Sequence, residues 1–469
     1  MASPAVPGTI EGLGSAYRAG SVLPAAATRE FLRRIDELNG KLNCFITVLG
    51  DSAVRQAEES EKRFKEGAPL GPLDGVPLAV KDLIYIQGVR CTAGSRILAD
   101  NVAAYDAEVV KKLRAAGAVL IGTTNLHEFA AGSTNVNPHF GSVRNPWDLG
   151  RMSGGSSGGS AVAVASGMAA GALGTDTGGS VRIPAGLCGV LGLKPTYGRV
   201  SRLGVIPLAS SLDVVGVLAS TAWDAAALLQ AISGHEKEDI TTVDTEASDY
   251  LGSLSQPFSP PRVGVVQGYF QDSIDPLVED NLAQFAARLE QMGCTTAKVA
   301  PDWISDAYER WVPIRRAEAT AFHQKWLESV PELYGPDVRR LLEQGRDVLA
   351  VDYVSAVNAR PSFMERFADT MRDSDFLVVP TTTVPAPRLD QTVVKVKGKE
   401  VPVYSALNRL PIPFNYVGCP VLSVPSGQVD GLPLGVQVVG RLFDEAGLLR
   451  VAQAYQERFG RPSAPPVPK

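Results

Sequence analysis

The residues able to do chemistry crowd into one stretch. Residues 153–182 read SGGSSGGSAVAVASGMAAGALGTDTGGSVR, two Gly/Ser clusters on either side of an apolar run of small residues. A flexible linker has this composition, but a linker does not lead straight into a small-residue apolar helix with a second glycine cluster behind it. A phosphate-cradling loop also places glycines at a helix N-terminus. The lysine of a G-x-x-x-x-G-K-[ST] loop is missing, since no lysine lies between 153 and 182. The third reading is a nucleophile loop. A serine nucleophile needs a base, and backbone N–H donors aimed at the developing oxyanion. DTGGS offers Ser180 as nucleophile and the N–H groups of Thr177, Gly178, Gly179 and Ser180 as donors, with no Cβ on the glycines to block approach. It is not the G-x-S-x-G elbow of α/β-hydrolases.

The base is less obvious. None of the four histidines, His127, His139, His235 and His323, lies in these loops. A lysine is the other known base for a serine nucleophile. Lys81, in PLAVKDL, follows an apolar run, and by itself it reads as a lysine snorkelling from a strand end. Ser157 and Ser160 compete with Ser156 as working serines, or serve as caps for a helix starting near Ala161.

GGSSGGS, a spacer, and then Asp176-Thr177-Gly178-Gly179-Ser180-Val181-Arg182-Ile183-Pro184 together resemble the hallmark of the amidase signature family. The resemblance extends from GVPLAVKDLI through AYDAEVVKKLRAAGAVLIGTTNLHEFA and RNPWD to GLPLGVQVVG near the end. It implies a Ser–Ser–Lys set: Ser180 as nucleophile, Ser156 as bridging serine after a non-proline cis peptide, and Lys81 as base. Thr177 to Ser180 would form the oxyanion hole. Asp176 and Arg182, opposite charges flanking the nucleophile, would hold the loop. Ser133 and Ser153 resemble supporting positions. At an ordinary pKa of about 10.4, only roughly one lysine in 2500 is neutral at pH 7, about 4.6 kcal/mol uphill. A lysine base therefore requires burial, and Leu78, Val80 and Leu83 around Lys81 are suited to it.

The implied activity is hydrolysis of a carboxylic acid amide to the acid and ammonia or an amine, with no metal and no cofactor. One branch of the family is a stand-alone amidase of linear amides; another is the glutaminase (A) subunit of a tRNA-dependent amidotransferase, which passes ammonia to a partner subunit. In the amidotransferase branch an acidic residue meets the amino group of glutamine; the matching position here is Asn408, ahead of PIPFN. An uncharged amide there speaks against glutamine, so the stand-alone reading leads. Arg339, with Arg340, in GPDVRRLLEQG is a candidate for a substrate carboxylate, and equally a solvated helix face. A non-catalytic, partner-binding relative is the third class, and the intact Lys81, Ser156 and Ser180 argue against it.

The elements that must position these residues alternate. TREFLRRIDELNGKLNCF spaces Phe31, Leu32, Ile35 and Leu38 for one helix face, with Thr28 as cap and Gly40 as stop. DSAVRQAEESEKRFKEG predicts a second helix, PLAVK a buried strand, and DAEVVKKLRAAGAVLIGTT a helix, a Gly117 stop and a strand. TAWDAAALLQAISG predicts a helix; PRVGVVQGYF and DFLVVPTTTVPAP predict strands; VKVKGKEVPV predicts a surface hairpin. This alternation means an α/β fold. The resemblance implies a single large domain, with a twisted mixed sheet covered on both sides by helices. Within 1–469 we expect a helical segment over about 1–65, a signature core over about 66–235 and a substrate-specificity half over about 260–469. The polar stretch 235–260 between them is either a linker or a surface excursion.

Composition bounds the rest. The 469-residue chain carries a net charge of −5, which gives no electrostatic reason to bind nucleic acid. Five scattered cysteines (Cys44, Cys91, Cys188, Cys294, Cys419) without a C-x-x-C pair suit reduced thiols. The first residues lack a basic region followed by an apolar one, and no apolar run is long enough for a membrane span. The expectation is a cytoplasmic enzyme of a small-molecule amide, without direct nucleic-acid or membrane contact. A homodimer is left open, and a partner subunit belongs to the amidotransferase reading alone.

Overall fold

A computed structural model describes residues 6–245, 248–269 and 273–466. In chain order the strands are β1 (Phe45–Val48), β2 (Pro77–Lys81), β3 (Val119–Thr124), β4 (Arg144–Asn145), β5 (Asp148–Met152), β6 (Gly171–Asp176), β7 (Leu191–Lys194) and β8 (Val214–Ala219). There follow β9 (Arg262–Val266), β10 (Thr295–Val299), β11 (Phe376–Pro380), β12 (Val393–Val396), β13 (Lys399–Pro402), β14 (Val421–Val429) and β15 (Leu432–Val439). Eleven of them form one sheet in the order β1-β3-β2-β6-β8-β7-β14-β15-β11-β9-β10. β3-β2-β6 and β11-β9-β10 run parallel, and the pairs between β6 and β11 are antiparallel, which makes the sheet mixed.

Both faces of the central strands are covered, so their sequences are continuously apolar rather than alternating. Successive residues still point to opposite sides. Leu78, Val80, Leu173 and Val217 pack into one core, and Ala79, Ala172 and Leu218 into another on the far side. The apolar helix Gly158–Ala165 lies in the second of these cores, and its small side chains let it sit close to β2, β3 and β6. The molecule is thus a single α/β domain around one large mixed sheet.

Several elements fall where the sequence puts them: the helices Gly50–Lys65, Glu108–Ala115 and Ala222–Ile232, the strands β2, β3, β9 and β11, and the β12–β13 hairpin. Phe270 at the end of PRVGVVQGYF, and the first five residues, lie outside the described residues. The first long helix departs from expectation. It begins at Pro24, not after Thr28, and runs through Gly40 to Leu42, where Asn43 adopts φ +55 and closes it. Pro24 at the first turn fits because its missing N–H would have no helical partner anyway. Thr28 is buried inside the helix. Within the 235–260 stretch the described residues pack onto the domain: Val243 N–H donates to the Gly198 carbonyl, and Tyr250 is buried at the start of the helix Tyr250–Leu254.

Candidate active site

Lys81 is the last residue of β2, and Thr175 and Asp176 end the neighbouring parallel strand β6. Parallel pairing carries these ends to the same edge of the sheet. Facing them is the turn before the helix Gly158–Ala165, where the Gly155–Ser156 peptide is cis. Lys81 Nζ lies 2.7 Å from Ser156 Oγ and 2.9 Å from Thr175 Oγ1. Ser157 N–H donates to the Ser180 carbonyl at 3.0 Å, which ties the Ser156 turn to the Ser180 loop. Lys81 has no exposed surface and Ser180 keeps 7% of its own. Burial lowers the Lys81 pKa to about 7, although the Asp176 and Asp213 carboxylates partly oppose the shift.

Asp176 and Arg182 form a fully buried pair, 2.9 Å between Arg182 Nη2 and Asp176 Oδ1. Burial pushes the Asp176 carboxyl up, but Arg182 and a hydrogen bond from Asn415 hold it well below the usual carboxylate range. Arg182 also donates to Gln437 Oε1 (2.6 Å), the Pro411 carbonyl (3.1 Å) and Asn415 Oδ1. Asp176 accepts the N–H of Gly179 at 2.8 Å and of Val181 at 3.1 Å. This corrects the expected donor set. The Gly179 N–H is already taken by Asp176, so Thr177, Gly178 and Ser180 are left with N–H groups that have no acceptor among the described residues. Gly179 has φ +110, and a Cβ there would come within 2.6 Å of Pro411 Cβ. A Cβ on Gly178 would come within 2.8 Å of the Trp311 ring.

The competing serines are occupied elsewhere. Ser157 Oγ donates to the Thr175 carbonyl and accepts the Thr175 N–H; Ser160 Oγ pairs with Thr124 Oγ1 and the Leu173 carbonyl. Ser157 sits at the N-cap position of the helix, but its side chain makes no capping bond. Ser153 Oγ bonds to backbone carbonyls, whereas Ser133 Oγ is buried without a partner. The histidines sit in separate contacts: His127 with Asp337, His139 with Glu128, His235 with Thr242, His323 with Tyr334.

Ser180 opens on a small, narrow cleft, lined among others by Ser133, Trp311, Arg315, Tyr404 and Asn408. A larger open groove of about 710 Å3, between Asp306, Arg310 and Arg366, contains none of the serines or Lys81. The smaller cleft is the candidate site because Ser180 lines it. Asn408 lines the smaller cleft. Arg339 does not: its helix, Pro336–Gly345, buries Val338, Leu341 and Leu342, and Arg339 faces solvent paired with Glu343 at 2.7 Å. Arg340 is exposed too.

Sequence reasoning missed Thr175, Asp213, Trp311, Arg315, Tyr404, Asn415 and Gln437. Asp213 accepts from Thr177 Oγ1 at 2.5 Å and from the N–H of Leu208 at 2.9 Å, while Trp311 Nε1 donates to the Thr177 carbonyl at 2.9 Å. One signal was legible: the helix Ile304–Ser329 buries Ile304, Ala307, Trp311, Ile314 and Arg315, so Arg315 stands on its apolar face, one turn after Trp311.

Among the described residues no helix is long and apolar enough to cross a membrane. The family model Amidase matches residues 26–449. A curated relative from Myxococcus xanthus, the A subunit of its glutamyl-tRNA(Gln) amidotransferase, is 40% identical and covers 97% of this chain and 98% of its own. Among solved structures, a chain from a vestigial protein complex that reveals the evolutionary origins of an s-triazine catabolic enzyme superposes with TM-score 0.93 at 33% identity. It covers 97% of this chain and 99% of its own. A solved amidase superposes with TM-score 0.88 at 32% identity, over 96% and 99%. The curated relatives favour the amidotransferase alternative over the stand-alone reading. A match of this length, on a chain whose Ser–Gly loops close over a buried lysine, leaves one conclusion: the protein belongs to the Amidase family.

Proposed function

We propose that this chain hydrolyses an amide through an acyl-enzyme on Ser180. The observation that carries the reading is the 2.7 Å contact between Ser156 Oγ and a lysine buried enough to be half neutral near pH 7. Neutral Lys81 takes the Ser156 proton as Ser156 takes that of Ser180. Ser180 Oγ bonds to the carbonyl carbon, and the oxyanion accepts from the free N–H groups of the Thr177–Ser180 loop. The C–N bond then breaks, and the proton held on Lys81 returns through Ser156 to the departing nitrogen. Water repeats the path, releasing the acid and regenerating Ser180. Asp176 and Arg182 orient the loop and transfer no proton.

The test is ammonia release by the purified chain over a panel of linear amides and glutamine. Ser180→Ala should lower kcat by at least roughly 10⁴-fold; undiminished release by that variant overturns the reading. A second reading, the glutaminase component of an amidotransferase, is favoured by the names of the relatives. It predicts release from glutamine alone, stimulated by a partner subunit. In this site Asn408 stands where the resemblance calls for an acid.

A further inference from the structure

Two arginines are buried in this region, and their surroundings differ sharply. Arg182 has a carboxylate, two side-chain amide oxygens and a carbonyl around it. Arg315, only 6% exposed, has no carboxylate partner among the described residues. Its Nη1 donates to Tyr404 Oη at 2.7 Å, and its guanidinium carbon sits 4.9 Å from the Trp311 ring centroid. Its Nε is buried with no acceptor. A guanidinium removed from water without a counter-charge costs several kcal/mol, which a fold tolerates where a ligand supplies the missing anion. Arg315 lines the same cleft as Ser180.

Two further buried polar atoms in the cleft lack partners: Asn408 Oδ1, an acceptor, and Ser133 Oγ, a donor or acceptor. Arg315 is the only charged side chain among the described residues lining it. A substrate carboxylate would therefore be matched by Arg315, and a neutral N–H by Asn408. An ammonium group would meet no carboxylate.

We propose that the substrate is a small amide bearing a carboxylate and no ammonium group, that the Arg315 guanidinium receives the carboxylate, and that Asn408 Oδ1 accepts a neutral N–H. The inference rests on the Ser180 reading for the position of the scissile bond. It moves carboxylate recognition from the exposed Arg339 to a residue 24 positions earlier in the chain, on another helix. It also separates this cleft from one built for glutamine, whose ammonium would lose water without gaining a partner.

The experiment compares kcat/KM for succinamate, neutral butyramide and glutamine in the full chain, in Arg315→Lys and in Arg315→Met. Wild type should prefer succinamate to butyramide by roughly 10- to 100-fold, the size of one charge-assisted contact. The preference should fall toward unity in Arg315→Met and persist in part in Arg315→Lys, which also serves if the methionine variant fails to fold. Equal use of succinamate and butyramide by wild type overturns the inference, as does a preference that survives Arg315→Met. Faster release from glutamine than from succinamate overturns it too, while leaving the Ser180 chemistry standing. If no amide is turned over, calorimetry of succinamate on Ser180→Ala decides. Binding lost in Ser180→Ala/Arg315→Met sustains the inference although the Ser180 reading fails, and absence of binding sinks it.

Discussion

Lys81 and Lys194 share almost everything except their neighbours. Each ends a sheet strand, β2 and β7, and neither has exposed surface. Burial lowers both pKa values, to about 7 and about 8. Lys81 faces two hydroxyls, whereas Lys194 Nζ donates to the Pro195 carbonyl at 2.8 Å. A hydroxyl has a proton to offer a neutral amine; a carbonyl oxygen can only accept. Desolvation supplies a lysine that is ready to lose a proton, and the partner decides whether that readiness becomes catalysis.

The largest test of this comparison is Lys81→Met, expected to lower kcat by roughly 10³- to 10⁴-fold. Lys194→Met should lower it by less than roughly tenfold, about 1.4 kcal/mol in the barrier; equal losses in the two variants would erase the distinction. Next comes stability. Lys81 is held at about 7 in the native state against 10.5 unfolded, so the unfolded chain binds more protons across that window. The penalty for protonating the native site is complete below pH 7 and gone above about 10.5, and native stability rises with pH between them. The stability gained by Lys81→Met, measured by denaturant titration, should therefore be greatest at pH 6 and vanish toward pH 11, with a maximum of a few kcal/mol. A gain independent of pH would mean that the side chain, not its charge, was responsible.

For activity the same group gives an acid limb. kcat/KM should rise with pH through about 7 as Lys81 loses its proton. The smallest effect is expected from Asp213→Asn. Its carboxylate favours the Lys81 ammonium, so its loss should shift the acid limb to lower pH by roughly half a unit to one unit. A shift upward would contradict the electrostatic sign.

The parts of the fold readable in advance are those whose information is local. PLAVK, AVLIGTT and the Gly/Ser loops carry their own periodicity and turn chemistry, and the resemblance attached roles to Lys81, Ser156 and Ser180. Asp213, Asn415 and Gln437 offer no such pattern. They reach Thr177, Asp176 and Arg182 only because sheet pairing brings distant segments together, Gln437 from 255 positions away. For Arg339 the sequence offers both a substrate contact and a solvated helix face, and buried Val338, Leu341 and Leu342 put it on the outer face of its helix. The small-residue run reads as a helix from about Ala161 and in fact begins at Gly158, but which serine it would leave free depended on the carbonyls of Thr175 and Leu173.

Sheet order divides the molecule cleanly. The six strands from residues 45–219 are contiguous, the five from 262–439 are contiguous, and β7 with β14 forms the seam. Lys81, Ser156 and Ser180 all belong to the first block, yet Arg182, two residues after Ser180, is held by Asn415 and Gln437 of the second. A growing polypeptide thus carries Lys81, Ser156 and Ser180 long before it carries Asn415 and Gln437, the side chains that hold Arg182. The buried pair of Arg182 and Asp176 therefore gains its outer partners last, when β15 is made.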